Sequence, residues 1–418
     1  NNGLMVLARK PLISIIIPTY NHLEDCLKPC IESIIKYTDL CNVEIIIVAN
    51  GCMDNTKEYI ESLGNPFKLI FINEQLGYTK ATNLGIKESK GEYIILLNND
   101  TVLLEQSKNT WIEMLKFPFK NSKDIGITGP LKLFDRYSNH EVIIFFCCMI
   151  KKQMFDMFGL LDEEYSPGGG EDVDFSVKVQ LNGYKIVQVP NEEKLQFIHT
   201  NTGEFPIWHK DNQSFKHIPE YATEIVKRNG LLNLKKYNKD IRLNIGSGGL
   251  RFQDNDGKEY INIDLYDKRA DIIYDITKLY EIINSNSVNI ILASHVIEHL
   301  NPYHFTNTLR TWFDILKPGG KLIMEYPDIE ELCKRFVTAD LQERYTILNC
   351  IYGSVNTHQA LDDPNLDPTC ISSPHLFNYS RQMMKDHLVW AGFKEENIKF
   401  MEEQIKHPGY NIRCEVIK

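Results

Sequence analysis

A chain of 418 residues is too long for one ordinary hydrophobic core, so its length predicts two domains. The hydrophobic fraction of 43% and the charged fraction of 24% are typical of a soluble globular protein. The net charge of -10 provides no general basic field, which argues against nucleic acid as the main partner.

The ten cysteines show no CxxC spacing, which favours buried reduced thiols over a metal site or a disulfide framework. The longest apolar run, residues 142–150, is far shorter than the ~20 residues of a membrane-spanning helix. No signal peptide opens the chain. We therefore expect a cytoplasmic protein without a transmembrane segment, for which peripheral contact with a membrane stays open.

Short β-branched runs alternate with helical patterns in the first half of the chain. The predicted strands are residues 12–17, 43–48, 68–72 and 93–97, and the predicted helices are residues 24–37, 55–63 and 80–88. Such alternation predicts an α/β domain whose parallel sheet is covered on both faces.

The same alternation restarts near residue 241 and predicts a second Rossmann-like α/β domain. Its predicted strands are residues 241–245, 260–263, 271–274, 288–293 and 321–325, with helices at 305–316 and 380–390. Between the two halves, a helix over residues 219–228 is expected to stop at Asn229-Gly230. The polar residues 233–240 are the predicted linker, so the predicted domains are residues 1–232 and 241–418.

Three predicted strands of the first half end in polar turns. Thr19, Tyr20 and Asn21 follow the first strand, ANGCMDNT follows the second at residues 49–56, and LNNDT ends the fourth at residues 97–101. In a parallel sheet the ligand lies beyond the carboxyl ends of the strands, so these turns predict one crevice.

Five ordered segments of the first half resemble inverting family-2 glycosyltransferases of the GT-A fold. They are SIIIPTYN, IIIVANGCMDNT, NEQLGYTKATNLGI, LLNNDT and GGEDVDFSVKVQLNGYKI followed by His199. The resemblance implies a UDP- or dTDP-type sugar donor, Mg²⁺ or Mn²⁺, and a glycan or glycolipid acceptor. The residues it places at the donor are Pro18, Thr19, Tyr20, Asn21, Asn50, Asp54, Gly77, Asn83, Asn98 and Asn99.

The resemblance also assigns metal and catalytic roles. Asp100 ends the metal-binding Asp-x-Asp signature, and His199 has the place of a further metal ligand in some relatives. Asp172 matches the carboxylate that accepts the proton of the acceptor hydroxyl, with Glu171 beside it as the second candidate.

Two positions depart from the pattern of that family. The first acid of the signature is Asn98, and the turn after the second strand carries Asn50 where an acid is common. These neutral residues keep open a selective transferase or one without activity.

A glycine turn opens the second half. LNIGSGG at residues 243–249 is a predicted strand that runs into this turn, and the next strand ends at Asp264, where an acid could hold ribose hydroxyls. On its own, this pattern fits a nicotinamide cofactor as well as other nucleotides.

Further segments of the second half resemble class I S-adenosylmethionine-dependent methyltransferases. They are IILASHVIEHL at residues 290–300, LKPGGKLI at 316–323, HLFNYS at 375–380 and AGF at 391–393. The resemblance implies that S-adenosylmethionine is bound by Gly246, Ser247, Gly248, Asp264, Asp275, Ile276, Ser294 and His295. Asn244 replaces the acid that opens the family's glycine motif.

Methylation of a sugar hydroxyl needs a base, and histidines are the candidates. They are His295, His299, His358 and His375, although His299 also fits plain packing at a helix start. Residues 356–373 are expected to form a loop that covers the acceptor.

Together these patterns favour a bifunctional enzyme that adds a sugar to a glycan and O-methylates a sugar hydroxyl. Two alternatives stay open: a single-activity enzyme with one non-catalytic binding or scaffold domain, and a nicotinamide-dependent reductase in the second half. The oligomeric state is not predicted.

Overall fold

The computed structural model divides the chain into two compact units, Asn1–Tyr237 and Asn238–Lys418. Its side chains are described at residues 12–190, 205–209, 228–248, 251–253, 257–353, 375–402 and 410–418, and its backbone also at 219–227. His199, His358 and the predicted loop 356–373 lie outside the described residues.

The first unit is built around a seven-stranded sheet in the order β10-β6-β9-β4-β1-β2-β3. Its strands are β1 (Ile13–Thr19), β2 (Val43–Asn50), β3 (Phe67–Ile72), β4 (Tyr93–Leu97), β5 (Thr101–Leu103), β6 (Ile125–Gly129), β7 (Lys132–Asp135), β8 (His140–Ile143), β9 (Cys147–Lys151), β10 (Lys185–Gln188) and β11 (Ile207–His209). Its helices are α1 (Lys28–Tyr37), α2 (Thr56–Leu63), α3 (Tyr78–Glu88), α4 (Thr110–Asn121), α5 (Lys152–Phe158), α6 (Glu171–Leu181) and α7 (Pro219–Tyr237).

Both faces of this sheet are buried, as its continuous apolar strands predict. β1, β2, β3 and β4 are parallel, and alternate residues of β1 pack on opposite faces. Ile15 belongs to the core formed with α1 and α4, whereas Ile16 belongs to the core formed with α3, α5 and α6. Because β1 to β4 are parallel, their carboxyl ends meet at one edge of the sheet, where the polar turns follow.

The second unit has its own seven-stranded sheet, in the order β14-β13-β12-β15-β16-β18-β17. The strands are β12 (Ile241–Ile245), β13 (Ile261–Asp264), β14 (Ile272–Ile273), β15 (Val288–Ser294), β16 (Leu316–Pro327), β17 (Ile398–Glu402) and β18 (Asn411–Ile417). The helices are α8 (Phe305–Ile315), α9 (Ile329–Thr338), α10 (Leu341–Tyr352) and α11 (Arg381–Ala391).

The chain order of this second sheet reverses between β12 and β15. β12 to β16 are parallel, whereas β18 runs antiparallel to both β16 and β17. In an open sheet of this kind, the crevice outside the reversal point is the expected ligand site.

The expected stop at Asn229-Gly230 is wrong, because α7 continues to Tyr237. The side chain of Asn229 is buried and bonded to the carbonyls of Tyr165 and Gly168. A β-carbon on Gly230 would lie 2.9 Å from the ring of Tyr137, so this glycine allows close packing. Tertiary contacts therefore outweigh the local helix-stop signal.

Two further observations concern the chain as a whole. The nine cysteines within the described residues are all free thiols. Among the helices that the structure describes, none combines the length and apolar character of a membrane span.

Candidate functional sites

A pocket of about 130 Å³ lies at the carboxyl ends of β1, β2 and β4. Its lining residues are Pro18, Thr19, Tyr20, Asn50, Gln75, Gly77, Tyr78, Asn98, Asn99 and Pro167. All the donor residues predicted from the sequence except Asn21, Asp54 and Asn83 line this strand-end pocket. The three polar turns therefore converge, as the parallel topology requires.

Hydrogen bonds between neighbouring segments hold the polar groups of the strand-end pocket in place. The amide of Asn99 donates to Thr19 Oγ1 over 2.8 Å, which joins the ends of β4 and β1. Asn50 Oδ1 accepts a 2.6 Å bond from the backbone N–H of Leu76. A neutral amide at position 50 thus fixes the segment that leads to Gly77.

The three predicted donor residues outside the pocket lining hold loops instead. Asn21 Oδ1 accepts from the backbone N–H of Met53 over 2.8 Å. Asp54 Oδ2 accepts from Leu23 N over 3.0 Å. Asn83 makes two bonds with the backbone of residue 161, its Nδ2 donating over 2.8 Å and its Oδ1 accepting over 3.0 Å. Their side-chain bonds account for their positions without a ligand.

A buried carboxylate, Asp100, and a partly buried imidazole, His209, form a pair next to this pocket. Asp100 is 2% exposed, and its Oδ1 accepts no hydrogen bond within the described residues. His209 Nε2 lies 3.2 Å from that oxygen. β11 runs antiparallel to β5 and sets His209 opposite Thr101, while the ring of Phe146 stacks on the imidazole at 4.6 Å.

His209 is a candidate metal ligand that the sequence analysis missed. The expectation placed a histidine ligand at His199, which lies outside the described residues. A carboxylate oxygen and an imidazole nitrogen at this separation are suitable donors for Mn²⁺, and less so for Mg²⁺, which prefers oxygen ligands. The only sequence signal was a histidine in a short apolar segment, which is weak without the pairing to β5.

A glycine-rich loop connects the strand-end pocket to the predicted acids. Gly77 has φ +82°, and a β-carbon there would lie 2.5 Å from Pro167 Cα, so no larger residue fits. Residues 168–170, here called the glycine loop, all have positive φ values and lead into the first turn of α6. Glu171 and Asp172 begin that helix.

Burial perturbs both acids at the start of α6. Glu171 is 5% exposed, and its Oε2 accepts no hydrogen bond within the described part of the chain. Burial and then the charge of Asp172 raise the pKa of Glu171. Burial also raises the pKa of Asp172, although its Oδ1 accepts from Val173 N over 2.8 Å. Carboxyls with raised pKa values beside a pocket are candidates for proton transfer.

Tyr78 links the two acids to the strand-end pocket. Its side chain lines the pocket, and its hydroxyl donates to the Phe145 carbonyl over 3.3 Å. Burial raises the pKa of Tyr78, and the nearby charges of Glu171 and Asp172 add to this effect. A sugar donor in the pocket would therefore lie near the acids.

Comparison with known proteins agrees with this geometry. Residues 14–130 match the family model described as Glycosyl transferase family 2. The first unit contains a family-2 glycosyltransferase domain. The match covers β1 to β6 and therefore includes the strand ends and Asp100.

Several proteins are similar in sequence to part of this chain. An uncharacterised protein y4gI of Sinorhizobium fredii is 28% identical over 43% of this chain and 24% of its own length. Glycosyltransferase GlyG of Streptococcus pneumoniae is 32% identical over 25% of this chain and 35% of its own length. Glycosyltransferase AglE of Haloferax volcanii is 31% identical over 25% and 34%, respectively. The chain thus spans about a third or less of these proteins.

Solved structures that are partly similar to this chain include a mannosyltransferase, PcManGT from Pyrobaculum calidifontis, in complex with GDP-Man and Mn²⁺. It is 16% identical, covers 44% of this chain and 55% of its own, and has a TM-score of 0.37. A structure of GalNAc-T7 with UDP, GalNAc and Mn²⁺ is 17% identical, covers 42% and 41%, and also has a TM-score of 0.37.

Outside the glycosyltransferase domain, the second unit brings its predicted cofactor residues to one sheet edge. They follow the carboxyl ends of four adjacent parallel strands and are Gly246, Ser247, Gly248, Asp264, Asp275, Ile276, Ser294 and His295. The edge includes the point between β12 and β15 where the chain order reverses.

The glycine turn after β12 is fixed from two sides. A β-carbon on Gly246 would lie 2.4 Å from Val296 Cγ2, so the turn packs directly on the segment after β15. The backbone N–H of Gly248 donates to Asp264 Oδ2 over 2.9 Å. The hydroxyl of Ser247 is buried and has no hydrogen-bond partner within the described residues.

The other predicted side chains at this edge make different contacts. Asp264 Oδ1 accepts from the backbone N–H groups of residues 266 and 267 over 2.9 and 3.0 Å. Asp275 Oδ1 accepts from Thr277 N over 2.9 Å and starts a short helical turn. His295 has φ +56°, and its Nδ1 lies 3.2 Å from Glu298 Oε1. His299 lies near His375, with the ring centres 4.9 Å apart.

Proposed function

We propose that the first unit transfers a sugar, with inversion, from a UDP- or dTDP-type donor to a glycan or glycolipid acceptor. The observation that carries this proposal is the strand-end pocket, which is followed in the chain by Asp100 and whose Tyr78 lies near the acids of α6. Residues 14–130 of the same unit match the family-2 glycosyltransferase model.

Asp100 Oδ1 fits a divalent cation, because this buried carboxylate oxygen accepts no hydrogen bond within the described residues and lies 3.2 Å from His209 Nε2, a second possible ligand atom. Asp100 and His209 would hold Mn²⁺, which supplies charge neutralisation to the departing diphosphate. The amides of Asn50 and Asn99 would then meet the nucleotide or the sugar through hydrogen bonds.

Asp172 is the candidate base for the acceptor hydroxyl. Its half-buried carboxyl can meet an acceptor, whereas Glu171 is almost fully enclosed. The raised pKa of Asp172 makes this carboxylate a stronger base than an exposed aspartate.

Release of nucleoside diphosphate from a panel of nucleotide-sugars tests the proposal for the first unit. We expect one donor to be turned over with Mn²⁺ and an acceptor glycan, and no turnover with excess chelator. Asp100→Asn should lose the metal-dependent turnover while keeping the fold. Undiminished turnover by Asp100→Asn in chelator would exclude a metal role for this residue.

For the second unit we propose S-adenosylmethionine-dependent O-methylation of a sugar hydroxyl, which makes the chain bifunctional. The supporting observation is the meeting of all eight predicted cofactor residues at one edge of the sheet. The buried and unpartnered Ser247 hydroxyl and the close packing of Gly246 on Val296 fit a bound polar ligand. S-adenosylmethionine, when bound there, supplies an electrophilic methyl group.

The sheet order argues against the nicotinamide alternative. The dinucleotide fold has the strand order 3-2-1-4-5-6 in one mostly parallel sheet. Counted within the unit, the order here is 3-2-1-4-5-7-6, with an antiparallel last strand between the fifth and sixth. This arrangement is compatible with the Rossmann-like fold that the resemblance to class I methyltransferases implies.

Calorimetry with S-adenosylmethionine and with NADH on the full chain tests the second activity. We expect S-adenosylmethionine to bind and NADH not to bind, and Asp264→Ala to weaken binding because the glycine turn loses its anchor. Incorporation of labelled methyl groups into the glycosylated product then separates a bifunctional enzyme from one with a single activity. A chain that transfers sugar but binds no methyl donor would support the alternative of a non-catalytic second unit.

A further inference from the structure

Three side chains of the second unit form a cluster that the proposed methyl transfer alone does not require. One ligand atom from each of Glu298, His299 and His375 lies within 4.8 Å of the corresponding atoms of the other two. Glu298 follows β15, and His375 lies beyond α10 along the chain. We refer to these three residues as the Glu298 cluster.

The carboxylate at the centre of the cluster is buried and incompletely bonded. Glu298 is 1% exposed, and its Oε2 accepts no hydrogen bond within the described residues. Its Oε1 lies 3.2 Å from His295 Nδ1 and 3.9 Å from His375 Nε2. His375 Nδ1 is also buried and makes no hydrogen bond of good geometry among the described residues, although the backbone of Cys350 and Ile351 lies beside the imidazole. Such groups are costly without a partner.

We propose that Glu298, His299 and His375 bind a divalent transition-metal ion. Two imidazoles and one carboxylate form a common donor set of catalytic zinc and iron sites, and three protein ligands leave a coordination position open. Ligand atoms of a tetrahedral site lie about 3.4 Å apart, so the three groups need to close by ~1 Å on binding. Rotation of the two imidazole rings can provide this movement.

The position of the Glu298 cluster suggests that its metal ion would bind the acceptor hydroxyl. This role rests on the proposed methyl transfer. Val296, which packs on Gly246, lies between His295 and the cluster in sequence, so the metal ion would be next to the cofactor turn. The acceptor hydroxyl would take the open position, where its pKa falls. The oxygen forms a bond to the methyl carbon, the bond from that carbon to the sulfonium sulfur breaks, and the hydroxyl proton leaves to water.

Cobalt titration of the chelator-treated full chain tests the metal site. Visible absorption counts the bound Co²⁺ in the wild type, in Glu298→Gln and in His375→Asn. The first unit holds other candidate ligands, at Asp100 and at His22, Asp25 and Cys26, so the readout is a difference between variants. We expect Glu298→Gln and His375→Asn each to bind one equivalent less than the wild type.

His304→Asn is the matched control, because His304 is an exposed histidine of the same unit outside the cluster. It should bind as many equivalents as the wild type. Equal Co²⁺ binding by wild type, Glu298→Gln and His375→Asn would overturn the metal site. If Glu298→Gln does not fold, Co²⁺ binding by His375→Asn alone tests the site, because the same loss of one equivalent is expected for both variants.

Calorimetry with S-adenosylmethionine on the same proteins separates the two proposals. A chain that binds S-adenosylmethionine but loses no Co²⁺ in the variants retains the proposed function without the metal site. A chain that loses one Co²⁺ in both variants but binds no S-adenosylmethionine has a metal site with another purpose. In a metal-dependent methyltransferase, chelation should abolish methyl transfer, and added Co²⁺ should restore it in the wild type only.

Discussion

Asp172 and Glu171 are neighbours in sequence but differ in their surroundings. Asp172 is half-buried and Glu171 is enclosed, so only the first can meet an acceptor without rearrangement. We expect Asp172→Asn to lower kcat by about 10²–10⁴-fold, because it removes a proton acceptor and almost no volume. The affinity for the donor, measured by calorimetry with the nucleotide-sugar and Mn²⁺, should change little.

Glu171→Gln is the matched comparison for this substitution. It removes a buried group of raised pKa from the same helical turn, so it should affect kcat less than Asp172→Asn. The reverse order of effects would make Glu171 the better candidate base. A weakened donor affinity with normal kcat in Asp172→Asn would mean that Asp172 holds substrate.

The raised pKa of Asp172 also predicts the pH dependence of sugar transfer. A base acts in its ionised form, so kcat/KM should fall as the pH decreases through the raised pKa, and this fall should begin above the usual range of aspartate. Burial is the main cause of the shift, and the charge of Asp135 adds to it. Asp135→Asn should therefore move the acidic limb to lower pH. An unchanged limb in Asp135→Asn, Glu171→Gln and Asp172→Asn would assign the titration to another group.

The sequence predicts the site residues that lie at strand ends. It does not predict those that later parts of the chain contribute through tertiary contacts. Thr19, Asn50 and Asn99 end apolar strands, so parallel topology alone places them together. His209 reaches Asp100 only because β11 pairs with β5, a contact distant in sequence. No local pattern encodes that register, so the sequence alone does not single out His209.

At the scale of elements, α7 secures the glycine loop that precedes the acids. The Asn229 amide lies within hydrogen-bonding distance of the carbonyl oxygens of Tyr165, Gly168 and Gly169. Asn233 Oδ1 accepts a 2.7 Å bond from the Tyr165 hydroxyl. The last part of α7 is therefore joined to the loop that leads into α6.

Asn229→Ala should destabilise the first unit and reduce sugar transfer. Truncation leaves buried carbonyls unpaired, which costs about 1–3 kcal/mol, and it loosens the loop before Glu171. A lower thermal midpoint together with a lower kcat is the expected result. The control is Asn182→Ala, which removes an exposed asparagine bonded to the Lys178 carbonyl and should change neither quantity. If Asn229→Ala has a lower thermal midpoint but a normal kcat, α7 stabilises the first unit and does not affect sugar transfer.

The alternation of strands and helices predicted most parallel elements of both sheets, but not the antiparallel ones. Residues 93–97 were predicted as a strand and form β4. β9 begins in the apolar run at residues 142–150 and inserts between β4 and β6, antiparallel to both. A fully buried run carries no direction in its pattern, so the sequence does not distinguish this insertion from a further parallel strand.

At the scale of the whole chain, the structural boundary differs from the predicted linker. The first unit ends at Tyr237, whereas the predicted first domain ended at residue 232. Three of the residues between them, Asn233, Lys236 and Tyr237, belong to a network around Asp174, which is 0% exposed. Lys236 Nζ lies 3.2 Å from Asp174 Oδ1, and the Tyr237 hydroxyl donates to the same oxygen over 2.5 Å. The polar composition of this segment therefore reflects a buried network and not a solvated linker.

Cutting the chain at two positions tests this boundary. Fragments 1–237 and 238–418 should fold separately, since each has its own sheet and is long enough to bury a core. The first should bind a nucleotide-sugar with Mn²⁺ and the second S-adenosylmethionine, as measured by calorimetry. Fragment 1–232 loses Asn233, Lys236 and Tyr237 and leaves Asp174 with Lys178 as its remaining cation within the described residues.

Removal of these partners from a buried carboxylate should cost about 3 kcal/mol or more. For a unit of this size, that loss corresponds to a Tm at least ~6 °C lower for fragment 1–232 than for fragment 1–237. Asp174→Asn should reduce the difference, because a neutral side chain suffers less from the missing Lys236. Equal Tm values for fragments 1–232 and 1–237 would mean that the first domain ends at residue 232. A well-folded fragment 238–418 that binds no S-adenosylmethionine would mean that its cofactor site needs the first unit or that the glycine turn binds another ligand.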